Sequence, residues 1–100
     1  LDVFIGSEPL ALRGMEAGAV GSVSGLATAW PETVAALVHD RDAAAHDRVS
    51  ALRDGLTGIP FHAALKEVLV SRRVLPDASV RTPLRGLTDD ERAAVRSLSR

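Results

Sequence analysis

The side chains of this chain that could do chemistry are few. There are three histidines, His39, His46 and His62, and a single lysine, Lys66, and of the serines Ser7 and Ser24 stand at the ends of short apolar runs. His39 and His46 are separated by Asp40-Arg41-Asp42, which reads as a helix break, so the pair does not share the helical face that metal-ligand spacing requires. The histidines therefore read as solvated or structural. Neither serine has a histidine near it in sequence, so a Ser-His nucleophile cannot be argued. The absence of cysteine excludes disulfides, zinc-thiolate sites and a thiol nucleophile. Gly18 to Gly21 could cradle a phosphate, but the spacing is that of neither a P-loop nor a dinucleotide fingerprint.

Two apolar runs must position whatever chemistry there is. Val3-Phe4-Ile5 ends in Gly6-Ser7-Glu8, and Val20 to Ser24 ends in Gly25, with one helix-length stretch between them. Parallel strands buried on both faces read as near-continuous apolar runs joined by a helix, so the spacing predicts a βαβ unit. Its functional residues belong after each run, since ligands of α/β folds sit at the carboxyl ends of the strands. The crossover, Glu8 to Ala17, carries Leu10, Leu12 and Met15 and ends at Gly18, a residue suited to a left-handed helix end. Gly21 and Gly25 mark close backbone approach in the second strand.

Beyond Trp30 the period becomes helical. A helix is predicted from Pro31 to His39, and another capped by Asp42 with the stripe Ala45, Val49, Leu52 and Leu56, leaving Arg48 and Arg53 off the stripe. Phe61, Ala64, Leu65, Val68 and Leu69 form a further helix ending before Pro76. Val80 to Leu84 reads as extended ahead of Pro83. Thr88-Asp89-Asp90-Glu91 is a capping box opening a last helix with Ala94, Val95 and Leu98. The division expected is 1–40 for the strand-bearing part and 41–100 for a helical extension.

Bulk composition excludes several classes. With 46% hydrophobic and 25% charged residues the chain is globular, and its net charge of −1 from 12 basic and 13 acidic residues offers no basic stripe for nucleic acid. No apolar run approaches the roughly 20 residues of a membrane span, so the expectation is a soluble, cytoplasmic protein with no membrane partner. Two parallel strands cannot close a sheet alone, and the chain reads as the C-terminal part of a larger domain.

In order, a strand ending in Gly6-Ser7-Glu8, a helix ending in Gly18, a strand ending in Val23-Ser24-Gly25, the proline-started helix at Pro31, the alanine-rich start at Asp42 to Ala45, the lysine-bearing helix with Lys66, and Arg81-Thr82-Pro83-Leu84 resemble the dihydrodipicolinate synthase/N-acetylneuraminate lyase family. The resemblance spans nearly the whole chain. It implies an α/β fold, the last two βα units of a (β/α)8 barrel followed by a C-terminal helical extension, in an enzyme that is usually a homotetramer. It also implies class I aldolase chemistry without a cofactor, in which a lysine forms a Schiff base with pyruvate or another 2-oxo acid and a tyrosine moves protons.

That lysine and tyrosine would lie upstream. This sequence has no tyrosine, and Lys66 falls in the helical extension, where it reads as structural. The chain alone is therefore expected to be inactive. The resemblance assigns the pocket walls: Gly6 as the glycine beside the oxo acid, the Val23 backbone carbonyl facing pyruvate and the lysine amine, Ser7 and Glu8 near the distal end of the substrate, and Gly25 where sugar-acid lyases present a serine. The Val23 side chain itself reads as core, and Glu8 reads equally as a helix-start carboxylate. Gly6-Ser7-Glu8 and Thr28 depart from the Gly-Asp-Asp and asparagine usual in the synthase branch, so the segment Val23 to Thr28 is as close to 2-keto-3-deoxy sugar-acid aldolases. Arg73 stands where a glycine is common, which points to a different helix end. Exposed faces on the Val49 and Leu52 stripe would supply a subunit interface. The alternative is a noncatalytic helical binding or scaffold module, motivated by the amphipathic stretches from Pro31 onward.

Overall fold

The computed structural model describes residues 1–99 of the chain, which is α/β and helix-rich. Strands β1 (Phe4–Ile5) and β2 (Gly21–Ser22) pair in parallel, Phe4 opposite Gly21 and Ile5 opposite Ser22. Backbone bonds from Val20 N to Val3 O at 2.9 Å and from Val23 N to Ile5 O at 3.0 Å carry the ladder one residue past each end. The expected strands are thus present but short. Helices α1 (Glu8–Glu16), α2 (Pro31–Asp40), α3 (Ala43–Gly55), α4 (Phe61–Ser71) and α5 (Asp89–Leu98) follow the predicted order, with a 3-10 turn at Leu26–Thr28.

Two compact units divide at Arg53/Asp54, inside α3. In the first, Leu1–Arg53, α1 crosses between the strands and packs on both of them and on α2. Its inward face is Glu8, Ala11 and Met15, at helical spacing, whereas Leu10 is exposed. The helix ends as its sequence suggests. Gly18 has φ +112, its N–H donates to Met15 O, and Ala19 N–H donates to Gly14 O, so two otherwise orphaned carbonyls are satisfied by a left-handed cap. Leu26 and Leu37 are fully buried, each contributing about 1.5–3 kcal/mol by leaving water.

Gly14 explains how closely α1 lies on β1. A Cβ there would stand 2.5 Å from Cγ1 and Cδ1 of Ile5, so the absent side chain is what lets the helix settle on the strand. Gly21 is a second close approach, with the Phe4 ring 3.3 Å from where its Cβ would be. Asp42 caps α3, its Oδ1 accepting from Ala44 N at 2.8 Å and Ala45 N at 3.1 Å. Val49 and Leu52 are fully buried. A subunit interface cannot rest on exposed faces of that stripe, because the stripe has already been consumed as core.

In the second unit, Asp54–Arg100, α4 packs against α5, with Ala64, Val68 and Val95 buried. Glu67, 4% exposed, is met by two arginines one turn apart on α5: Arg96 Nε lies 2.9 Å and Arg92 Nε 3.5 Å from its carboxylate. The capping box is present, Thr88 accepting from Glu91 N while the Glu91 carboxylate accepts from Thr88 N. Two local expectations need correction. Arg81 to Leu84 closes a turn instead of staying extended, Leu84 N donating to Arg81 O at 2.9 Å. Arg73, expected to change the helix end, ends α4 as a glycine would: it takes φ 61, and the Arg73 and Val74 N–H groups donate to Val70 O and Leu69 O.

Candidate functional site

Because β1 and β2 are parallel, the segments Gly6-Ser7-Glu8 and Val23-Ser24-Gly25 leave the sheet at the same end. Glu8 joins them. It is fully buried at the first position of α1, and its Oε1 accepts from Ser24 Oγ at 2.8 Å and from Leu26 N at 3.1 Å. Its Oε2 accepts from Arg53 Nε and pairs with Arg53 NH2, both at 2.9 Å. Ser24 Oγ in turn accepts from Ala27 N at 3.1 Å, so the carboxylate and the hydroxyl together close the start of the 3-10 turn.

Burial pushes the Glu8 carboxyl up. The opposing hydrogen bonds, from Leu26 N–H, its own N–H, Ser24 and Arg53, outweigh that cost and hold it below the ordinary carboxylate value of 4.5. A buried anion held by four donors stays ionised and orders what it touches. Its acceptor sites are directed at this chain's own groups, which makes Glu8 an internal anchor and distinguishes it from a solvent-facing carboxylate at a helix start.

The other expected site residues are placed as follows. Gly6 is exposed and a Cβ built on it would meet nothing within 4 Å, so no packing within this chain demands a glycine there. Ser7 is exposed at the N-cap of α1, where its carbonyl accepts from Leu10 N. Gly25 is exposed and lies in the helical region, φ −68, just before the 3-10 turn. Val23 has its N–H in the ladder, but its side chain is 70% exposed. The core reading of that side chain is corrected: β2 pairs on one edge only among the described residues, and the Val23 side chain stands in solvent.

Arg53 is the member of this group that sequence reasoning passed over. Its only signal was a basic residue beside, not on, the apolar stripe of α3, and nothing local linked it to Glu8, 45 positions away. Lys66, by contrast, lies on α4 and donates from Nζ to Ser79 O at 2.7 Å. Among the described residues no three of the His, Asp and Glu side chains gather as a metal site. An open, mainly apolar groove of about 410 Å³ runs between Phe4, Val20 and Gly21 on the strand side and Pro31, Val34 and Val38 on α2. It follows the flank of β2 and shares only Ser24 with the strand-end segments. The polar chemistry lies at the strand ends. No helix among the described residues is long and apolar enough to cross a membrane.

Comparison with known proteins bears on the same segments. No family model matches the chain. It is 36% identical over 102 residues to an uncharacterized DapA-like lyase of Chloroflexus aurantiacus, an overlap covering 97% of this chain and 34% of that protein. Two uncharacterized DapA-like lyases of Halobacterium salinarum are 34% identical over 102 residues, covering 95% of this chain and 33% of each. The chain spans about a third of the length of these curated relatives. With nearly every residue inside these overlaps, the chain belongs to the DapA-like lyase family.

Proposed function

We propose that this chain is the C-terminal part of a Schiff-base lyase or synthase that makes or breaks carbon-carbon bonds with pyruvate or another 2-oxo acid. In this reading β1 and β2 are the last two strands of a (β/α)8 barrel, α3 to α5 belong to its helical extension, and the assembled enzyme is a homotetramer. The observation that carries the reading is the clamped pair of strand-end segments in a chain aligned over nearly its full length with DapA-like lyases. Ligands of parallel α/β folds are bound at that end.

The chemistry asks for a lysine amine that condenses with the 2-oxo carbonyl, releasing water. The resulting protonated imine withdraws electrons, so a carbanion equivalent forms beside it at neutral pH. The lysine and its proton-shuttling tyrosine come from outside this sequence, since Lys66, on α4, is tied to the Ser79 carbonyl and tyrosine is absent. Within the chain, Gly6 leaves room beside the oxo acid, the Val23 carbonyl faces the pyruvate and the amine, and Ser7 and Gly25 border the distal end. Glu8, enclosed as it is, acts behind this surface.

Borohydride reduction in the presence of pyruvate tests the reading on the natural protein that carries this chain. The expected result is a stable adduct on a lysine outside these 100 residues, and none when the isolated chain is treated. An adduct on Lys66 refutes the assignment of roles, and no adduct in the whole protein refutes Schiff-base chemistry.

A further inference from the structure

We propose that Glu8 is a positioning residue, which fixes the orientation of the Val23 carbonyl by clamping Ser24 and Leu26, with Arg53 of α3 holding the clamp itself in place. The proposal rests on the reading above that the Val23 carbonyl faces the 2-oxo acid. The peptide between Val23 and Ser24 is pinned from both sides. On one side the Val23 N–H is held by Ile5 O at 3.0 Å, and the same carbonyl accepts from Ser22 Oγ at 2.7 Å. On the other, Ser24 Oγ and Leu26 N–H are both held by Glu8 Oε1. The backbone on either side of the Val23 carbonyl is thus held in place, which fixes the path on which that carbonyl is presented.

The carboxylate cannot easily drift, because its second oxygen is engaged by two nitrogens of Arg53 in a forked arrangement. Arg53 lies on α3, well after the strands in sequence, so the helical segment is coupled to the strand-end geometry through one fully buried anion. Direct participation of Glu8 in substrate contact would require giving up these partners. Orientation of a reacting neighbour is the role its geometry allows, and a displacement of about 1 Å in such a group costs up to about 100-fold in rate.

The test is the rate of borohydride-trappable adduct formation with pyruvate, measured against pyruvate concentration in the natural full-length protein. Glu8→Ala is expected to lower the limiting rate by about 10- to 100-fold while changing the half-saturating pyruvate concentration by less than about threefold. Glu8→Gln keeps an oxygen for Ser24 and Leu26 but turns an amide NH2 toward the two donors of Arg53, so it is expected to restore only part of the rate. Ser24→Ala removes one arm of the clamp, is expected to fold, and should lose rate to an intermediate degree, so it decides the matter if Glu8→Ala does not fold. A wild-type protein that forms the adduct, with Ser24→Ala and any folded Glu8→Ala forming it at the wild-type rate, overturns this proposal and leaves the proposed function standing. Absence of adduct in the wild type overturns the functional reading and this proposal with it.

Discussion

Replacing Gly14 with alanine sets two opposed effects against each other. Alanine favours helix over glycine by at most about 1 kcal/mol, so an exposed site in α1 would gain stability. Here the new Cβ stands 2.5 Å from both Cγ1 and Cδ1 of Ile5, against an ordinary carbon-carbon contact of about 3.5–4.0 Å. Rotating χ2 of Ile5 clears Cδ1 but leaves Cγ1 where χ1 puts it, and β-branched side chains are stiff at χ1. The strand or helix must therefore shift by about 1 Å, at an overpacking cost of about 1–3 kcal/mol. The steric effect wins, with a net loss of about 1 kcal/mol.

Thermal unfolding followed by circular dichroism should show the melting temperature falling by about 4–8 °C if the cooperative unit is of this chain's size, or about 2–4 °C in a larger one. A double-mutant cycle identifies the cause. Ile5→Ala removes both clashing atoms and should abolish the penalty of Gly14→Ala, whereas Ile5→Val keeps a carbon at the Cγ1 position and should relieve little of it. A higher melting temperature for Gly14→Ala, or a penalty that survives Ile5→Ala, would show that close packing of α1 on β1 is not what glycine is there for.

Further expectations concern the second unit and the anchoring carboxylates. Glu67→Gln should cost about 1–2 kcal/mol in denaturant unfolding, less than a fully buried pair because Arg92 and Arg96 are 38% and 55% exposed, and Arg92→Gln with Arg96→Gln should cost no more than a similar amount. Arg73→Gly should raise stability by about 0.5–1 kcal/mol, since a left-handed residue with a Cβ is strained by about 1–2 kcal/mol and the gain is only partly offset by glycine's freedom in the unfolded chain; a lower melting temperature would contradict this. Hydrogen bonds from Arg85 and from the Thr88 backbone lower the Glu91 carboxyl from 4.5 to about 2. Its contribution to the α5 cap is therefore present above about pH 4.5 and is lost as pH falls toward 2, which NMR titration of Glu91 with amide exchange at the start of α5 would follow. Glu8 has the same sign: its folded value lies below 4.5, so the clamp stabilises above that pH and weakens as the carboxyl protonates below it.

Local signals were legible wherever the physics was local. The capping box at Thr88 to Glu91, the Asp42 cap, the proline that starts α2 and the left-handed Gly18 each satisfy backbone groups within a few residues, so residue type and spacing were enough. The same holds for the buried stripe of α3, which follows from helical periodicity. Arg73 shows the limit even locally. Its side chain argued for a different helix end, yet the unsatisfied carbonyls of α4 drew it into the left-handed conformation all the same.

By itself, the sequence determined the helices, the parallel pair joined by α1, and membership in a lyase family through the order of weak motifs along the chain. Only the tertiary structure decided that Glu8 is enclosed and shared by Ser24, Leu26 and Arg53, that Gly14 yields its space to Ile5, and that the Val23 side chain stands exposed. The physical reason is range. Periodicity and capping act over one or two turns, whereas a buried carboxylate finds its donors 16, 18 and 45 positions away, and which donors it finds depends on how the chain has already packed.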